Sequence, residues 1–145
     1  MTINEKQDEI IEEFDMLDEW LDRYQLIIDY AKTLPAFPEE HRTPQNLIDG
    51  CQSQVWFVAD LQDGCVVYQA DSDAILVKGI AALLLRVLNN QTPKDIAEAD
   101  LYFIKEIGLQ EHLSPTRSNG LAAMLRQMKL YALALMSKQQ EATAK

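Results

Sequence analysis

The feature that most limits what this chain can fold into is the apolar run at residues 75–88. Its side chains are apolar on nearly every side of a helix, and only Lys78 and Arg86 carry charge. A helix that is apolar all round is typical of a protein core, so we predict a buried helix that ends at Asn89-Asn90. The same run is too short and too charged to span a membrane.

The residues that precede the hairpin predict two helices and a loop. Thr2 and Glu5 have the spacing of a capping box, which marks a helix start. Asp18 is predicted to cap a second helix that runs through Lys32. Closely spaced prolines predict a stiff, extended loop over residues 35–50. Spacings of three and four predict one apolar helical face that comprises Ile10, Phe14, Leu17, Leu21, Tyr24 and Ile28.

Two β-prone segments follow the loop. Residues 54–59 and 65–70 are rich in Val, Trp, Phe and Tyr, and residues 61–64 have the composition of a turn. This pattern predicts a β-hairpin. Residues 71–74 are polar, and they either finish a third strand or cap the apolar helix.

The C-terminal part of the chain predicts further helices. Thr92-Pro93 is a helix start signal, and short helices are predicted over 93–99 and 100–107, ended by Gly108. Residues 114–120 are predicted to form a loop before a long final helix. The tail after Ser137 is polar and is predicted to be frayed.

Length and composition set the class of protein. The 145 residues fit one domain, 1–145, that buries a core without a disulfide or a metal, and the order of elements predicts an α+β fold. Two cysteines, Cys51 and Cys65, and no signal-peptide pattern predict reduced thiols and a cytoplasmic location.

The charge is acidic and unevenly placed. The net charge is −10, and residues 1–40 contribute 12 acidic and 3 basic side chains, a net of −9. Such a chain is a poor candidate for nucleic-acid binding, which depends on Lys and Arg. We interpret the acidic segment as a solvated helix face, the alternative being an electrostatic guide toward a basic partner surface.

Cys51 is the first candidate for chemistry, because it lies in a predicted loop beside Gly50. A working thiol must be partly thiolate and reachable. Asp49 would raise the pKa of the thiol, and the neighbouring Gly50 favours access, so the local sequence indicates access more than activation. Arg117, next to a predicted helix start, would stabilise an anion on Cys51 if the two loops meet; its alternative role is a structural salt bridge.

Other uses of these side chains are less well supported. A zinc site would need both cysteines with His41 and His112, and their spacing matches no usual zinc module. A cysteine hydrolase would need one of those histidines beside Cys51, and no protease signature surrounds it. Cys65 falls on a predicted strand and is interpreted as a packing residue. The chain shows no phosphate loop or dinucleotide fingerprint.

Several blocks of sequence resemble one family. The stretch around the thiol is similar to the active-loop motif of the SufE family of sulfur acceptors, which includes the CsdE branch. Further similar blocks follow in family order across residues 9–136. The residues that carry the resemblance are Trp20, Arg23-Tyr24, Ile27-Ile28, Arg42-Thr43-Pro44-Gln45-Asn46, Gly50-Cys51-Gln52-Ser53-Gln54-Val55-Trp56, Asp71-Ser72-Asp73-Ala74, Val77-Lys78-Gly79 and 113–121.

The resemblance implies a fold and a function. The fold is a small antiparallel sheet with helices packed on it, shared with IscU-type scaffolds. The function is to take sulfur as a persulfide on Cys51 from a pyridoxal-phosphate cysteine desulfurase of the SufS or CsdA type, to stimulate that enzyme, and to pass sulfur to iron–sulfur cluster assembly. The cofactor belongs to the desulfurase, so this chain is expected to be an accessory protein without a cofactor or metal.

The resemblance also assigns roles to residues. Cys51 is the sulfur acceptor, and Arg117 is a supporting or partner-contact residue. Asp73 holds the Cys51 loop or contacts the partner. Gly50 and the three polar residues after the thiol, Gln52, Ser53 and Gln54, shape the loop. Cys65 has no assigned role.

Two further expectations complete this picture. Without a partner, Cys51 is expected to lie against apolar residues, in a loop that is able to turn outward, because a persulfide is easily lost. The alternative function is a module that regulates a desulfurase without accepting sulfur.

Overall fold

The computed structural model describes residues 1–51 and 53–144, with the backbone alone for Thr116 and 140–144. Two short 3-10 turns, Glu39–His41 and Pro44–Asn46, lie in the loop that precedes the sheet. Helices and strands follow the order α1 (Ile3–Asp15), α2 (Trp20–Ala31), β1 (Val55–Gln62), β2 (Cys65–Ser72), α3 (Ile75–Leu88), α4 (Pro93–Glu98), α5 (Phe103–Glu106), α6 (Leu109–His112) and α7 (Pro115–Ala144).

Helix α3 is the buried helix that the apolar run predicts, and it has the predicted bounds. Ten of its 14 residues are buried. Helices α1, α2 and α7 and strand β2 all contact it, so the helix is covered on several sides. The α+β fold is therefore confirmed, with helices packed on a small antiparallel sheet and α3 in the core.

Strands β1 and β2 form the predicted hairpin, and both are longer than predicted. Their register pairs Val55 with Ser72 at one end and Gln62 with Cys65 at the other. Asp63 and Gly64 both have positive φ, which fits the two-residue turn that follows the twist of a hairpin.

The polar segment 71–74 is predicted either to finish a third strand or to cap α3, and neither prediction is correct. Its first two residues complete β2, and the described residues contain a single two-stranded sheet. The N-cap of α3 is Ala74, whose side chain makes no capping hydrogen bond.

The N-terminal helices begin as predicted but continue differently. The capping box of Thr2 and Glu5 is present. Asp18 is not the cap of the second helix; Glu19 takes that position without a side-chain hydrogen bond. The break before α2 changes the rotational phase of the apolar pattern, so Leu21 is 81% exposed instead of lying on the predicted buried face.

The predicted loop at 114–120 is also wrong, because α7 begins at Pro115. Proline suits the first turn of a helix, since its missing N–H would have no partner there. The hydroxyl of Ser114 accepts a hydrogen bond from the Arg117 N–H at 3.3 Å, as in an N-cap. At its other end the helix continues past Ser137 to Ala144, where the polar composition predicts a frayed tail.

The short helices of the C-terminal part agree more closely. The Thr92 hydroxyl caps α4 by accepting from the Asp95 N–H at 3.2 Å, and Gly108 ends the next helical segment in a left-handed conformation. Residues 100–102 are not helical, so α5 is shorter than predicted. Over the described residues no helix combines the length and apolar character that crossing a bilayer requires.

The packing of α2 on α3 depends on Gly79. A Cβ built on Gly79 would lie 2.1 Å from the Ile27 carbonyl oxygen and 2.8 Å from its carbonyl carbon. Both atoms belong to the backbone of α2, so they move only if the whole helix moves. A side chain at this position would therefore separate the two helices.

We predict that Gly79→Ala lowers the free energy of unfolding by at least about 2 kcal/mol, through overpacking against backbone. In an exposed helix the same change is stabilising by up to about 1 kcal/mol, so the sign separates packing from helix propensity. Urea denaturation followed by circular dichroism measures the effect, and Ala122→Ser on the exposed side of α7 is the control. Unchanged or increased stability of Gly79→Ala would contradict the packing described here.

Candidate functional site

Cys51 lies in a tight loop that leads into β1. The Ile48 N–H donates to the Val55 carbonyl at 2.9 Å. This hydrogen bond brings the two ends of the loop together, and Cys51 lies between them in the chain. Gly50 turns the chain with a φ of +91°, a conformation that favours glycine.

Asp73 fastens the end of this loop to the start of α3. Its carboxylate accepts from the Gln54 N–H at 3.0 Å, and its own N–H donates to the Gln54 carbonyl at 3.2 Å. The hydroxyl of Ser72 donates to the same carbonyl at 2.8 Å. The loop is therefore anchored at Ile48 and at Gln54, and the thiol lies between the two anchors.

Helix α7 packs against the loop. A Cβ on Gly50 would lie 3.4 Å from the Ala123 Cβ, and the Cys51 thiol donates a hydrogen bond to the Gly120 carbonyl at 3.7 Å. Beside the thiol is a cavity of about 320 Å³. It is lined by the apolar side chains of Val77, Ile80 and Met124 and by the polar ones of Ser53, Ser114 and Arg117.

The environment of Cys51 favours the neutral thiol. The side chain is half-buried and packs against the core, and this burial raises the pKa of the thiol. Its hydrogen bond to the Gly120 carbonyl uses the thiol proton, which also stabilises the protonated form. Arg117 is exposed, and within the part of the chain that the structure describes it forms no salt bridge.

A charge network centred on the buried Asp71 lies next in the chain to Ser72 and Asp73, which anchor the loop, and no local sequence pattern indicates its role. Asp71 is 9% exposed and binds the guanidinium of Arg42 and, at 3.2 Å, the ammonium of Lys78. Burial alone would raise the pKa of this carboxyl, but hydrogen bonds from Arg42, the Ser72 N–H and Lys78 hold it below its ordinary value. The network joins the proline-rich segment, β2 and α3.

The same network extends to aromatic rings. The Arg42 guanidinium lies 5.1 Å from the centre of the Trp56 ring and 5.4 Å from that of Phe37. Arginine over an aromatic face is a favourable contact. Residues 42–46, 71–74 and 77–79 stand out in the sequence only as blocks of resemblance, because such long-range pairs have no local sequence pattern.

The structure brings together most of the predicted site residues. Cys51, Ser53 and Arg117 line the cavity, Gly50 lies against α7 at Ala123, and Gln54 with Asp73 anchors the loop. Gln52 lies outside the described residues.

Cys65 and the two histidines are not among the residues that line the cavity beside Cys51. Cys65 starts β2, opposite Gln62 and next to the hairpin turn. His112 stacks on Trp20 with ring centres 3.8 Å apart, and its Nδ1 is 2.8 Å from the Gly108 carbonyl oxygen. The cysteine hydrolase needs a histidine on Cys51, but among described residues its thiol hydrogen bonds only to the Gly120 carbonyl. Over those residues no group of three or more His, Cys, Asp and Glu side chains is placed to hold a metal.

Comparison with known proteins identifies the family. The model of the SufE domain, described as "Fe-S metabolism associated domain", matches residues 8–132. This chain belongs to the SufE family. SufE proteins are associated with iron–sulfur metabolism, and so is this chain.

Similar proteins agree with this assignment. An uncharacterized SufE-like protein of Rhizobium meliloti is 42% identical over 127 residues, which cover 84% of this chain and 91% of that one. An uncharacterized SufE-like protein of Synechocystis is 43% identical over 125 residues, 86% of this chain and 79% of that one. A hypothetical protein from Thermus thermophilus, solved in solution, has a TM-score of 0.76 at 27% identity and covers 91% and 96% of the two chains.

The raised pKa of Cys51 predicts slow alkylation at neutral pH. Iodoacetamide reacts with thiolate, so the rate constant should rise with pH through a midpoint above that of the same cysteine in the unfolded chain. The measurement uses Cys65→Ser, in which Cys51 is the single thiol, and follows the modified peptide by mass spectrometry. A midpoint at or below that of the urea-unfolded variant would contradict the described environment.

Proposed function

We propose that this SufE-family protein carries sulfur as a persulfide on Cys51, which it takes from a pyridoxal-phosphate cysteine desulfurase and passes to iron–sulfur cluster assembly. The observation that carries the proposal is the thiol itself: it lies in an anchored loop, half-buried beside a cavity of about 320 Å³, in a SufE domain. Such a site would shield the sulfur on Cys51 from solvent, and the short loop between Ile48 and Gln54 would move to present it.

The proposed step is an exchange at sulfur. The Cys51 thiolate attacks the terminal sulfur of a persulfide on the desulfurase cysteine. A bond forms between the Cys51 Sγ and that sulfur, and the bond between that sulfur and the desulfurase cysteine breaks. The desulfurase cysteine leaves as a thiolate and takes up the equivalent of the proton that Cys51 lost. No external oxidant or reductant is needed.

The described environment supports a requirement for a partner. Burial raises the pKa of Cys51, so the free protein holds mostly the unreactive thiol near neutral pH. Contact with a desulfurase that draws the loop out of its position beside α7 would remove that burial. Because its anchors are the Ile48–Val55 and Gln54–Asp73 hydrogen bonds, the loop between them is the part that would turn.

Arg117 is well placed to serve the same step. It borders the cavity of Cys51, and in the described structure its charge has no salt-bridge partner. It lies in the first turn of α7, where the helix dipole already favours an anion. We propose that Arg117 stabilises the developing thiolate or persulfide, or contacts the desulfurase. The partners we propose are a SufS-type or CsdA-type desulfurase and a downstream scaffold in the cytoplasm.

Sulfur uptake tests the proposal directly. The protein is incubated with a desulfurase of this type and cysteine, and the intact mass is measured without reductant. We predict a mass gain of one sulfur atom on Cys51 in the natural chain and in Cys65→Ser, and no gain in Cys51→Ser. Cys65→Ser is the matched control because it removes a thiol from the far end of the hairpin.

Two results would contradict this function. Absence of a persulfide on Cys51 in the natural chain would show that it does not accept sulfur. Stimulation of the desulfurase that survives unchanged in Cys51→Ser would favour a regulatory module that acts by binding alone.

Arg117→Gln should slow sulfur uptake by about tenfold, the loss of roughly 1.4 kcal/mol of charge stabilisation at the reacting sulfur. The melting temperature should stay within about 1 °C, because an exposed side chain away from packing contributes little to stability. Arg126→Gln, an exposed arginine further along α7, is the control. Equal uptake rates in the two variants would remove Arg117 from the proposed mechanism.

A further inference from the structure

Gly120 occupies an unexpected position for a glycine. It is buried in the second turn of α7, and glycine is among the least favourable residues inside a helix because it loses the most backbone freedom. Neither a turn nor a positive φ requires it, since the positive φ angles occur at other glycines. The reason for a glycine here must therefore come from its surroundings.

The surroundings contain one atom close to the missing side chain. Apart from the adjacent residues and the backbone of its own helix, a Cβ built on Gly120 has one neighbour within 4 Å among the described atoms, the Cys51 Sγ, at 3.5 Å. That distance is ordinary van der Waals contact, so alanine would fit beside the free thiol without a shift. By contrast, the Cβ built on Gly79 overlaps backbone at 2.1 Å. The thiol form of the protein does not need a glycine at 120.

A second sulfur on Cys51 changes this fit. A sulfur–sulfur bond is about 2.0 Å long. A terminal sulfur directed from Sγ at about 60° to the line that joins Sγ to that Cβ would lie about 3.0 Å from the Cβ, closer than a carbon and a sulfur atom pack. A side chain at residue 120 would therefore take part of the space beside Sγ, and Cys51 and Gly120 both line the cavity.

We infer that Gly120 is a positioning residue for the persulfide: its missing side chain leaves the space in which the terminal sulfur on Cys51 is held out of solvent. The inference rests on the proposed function, since it names where the transferred sulfur lies. Val77, Ile80 and Met124 line the cavity with apolar groups, and Arg117 borders it with a cation. The backbone carbonyl of Gly120 accepts from the thiol before sulfur arrives.

The test compares Gly120→Ala with a double variant in a Cys65→Ser background. Ala122 is exposed in the same helix and is not part of the cavity. Gly120→Ala with Ala122→Gly therefore returns one glycine to the helix but does not reopen the space at 120. Ala122→Gly alone is the second control. Persulfide is loaded with inorganic polysulfide, so that loading does not depend on a desulfurase.

Two measurements, the melting temperature and the rate of persulfide loss, separate the effect of helix stability from the effect of filling the space at residue 120. Gly120→Ala should melt higher by about 2–4 °C, as expected for a gain in helix propensity in a chain of this size. Its persulfide should be lost to cyanide about tenfold faster than in the parent, because the overpacked sulfur is displaced toward solvent. The double variant should regain the parental melting temperature and keep the fast loss, and Ala122→Gly alone should keep the slow loss.

The inference is overturned if Gly120→Ala holds its persulfide as long as the parent, or if the double variant restores the parental lifetime along with the melting temperature. Failure of the proposed function looks different. In that case the desulfurase transfers no sulfur to the natural chain, while the polysulfide-loaded variants still differ as described.

Discussion

Burial of α3 is the constraint on which the rest of the structure depends. The helix is apolar on nearly all sides, so α1, α2, α7 and β2 must all pack against it. Because Gly79 has no side chain, the backbone of α2 lies against the backbone of α3, and β2 and α7 also contact α3. The Cys51 loop lies where these elements meet, between the start of α3 and the second turn of α7. The site is thus formed where the elements that cover α3 come together.

The supports of the loop are mostly polar, although the core beneath it is apolar. The Asp73 carboxylate holds the loop by accepting from the backbone N–H of Gln54. The Asp71 network connects the proline-rich segment before the loop to β2 and α3. None of these contacts involves the thiol, which among the described residues has one weak hydrogen bond, with a cavity beside it. Rigid flanks with a weakly held centre suit a group that must be stored in one position and presented in another.

The sequence predicts the elements with strong local patterns and misses those set by distant contacts. The α3 run, the capping box of α1 and the hairpin follow from periodicity and turn residues alone. Leu21 is misplaced because a break in the helix changes its phase, and the start of α7 is missed because Ser114-Pro115 has the composition of a loop. Cys51 stands out as a candidate by its position and its motif. The roles of Asp71 and Gly120 depend on partners far away in the chain, which no local pattern reveals.

The placement of the second thiol limits the redox chemistry open to the protein. Cys65 lies at the turn end of a hairpin whose two strands each have eight residues, and α7 runs from Gly120 beside Cys51 to Gln139 beside Gly64. Nineteen residues of helix span about 28 Å, whereas a disulfide needs Cα atoms within about 7 Å. Cys65 therefore cannot act as a resolving cysteine within the same chain. Under the proposed function, a sulfur on Cys51 would not be discharged as sulfide by a disulfide within the chain, and its release would need a reactive group from another molecule.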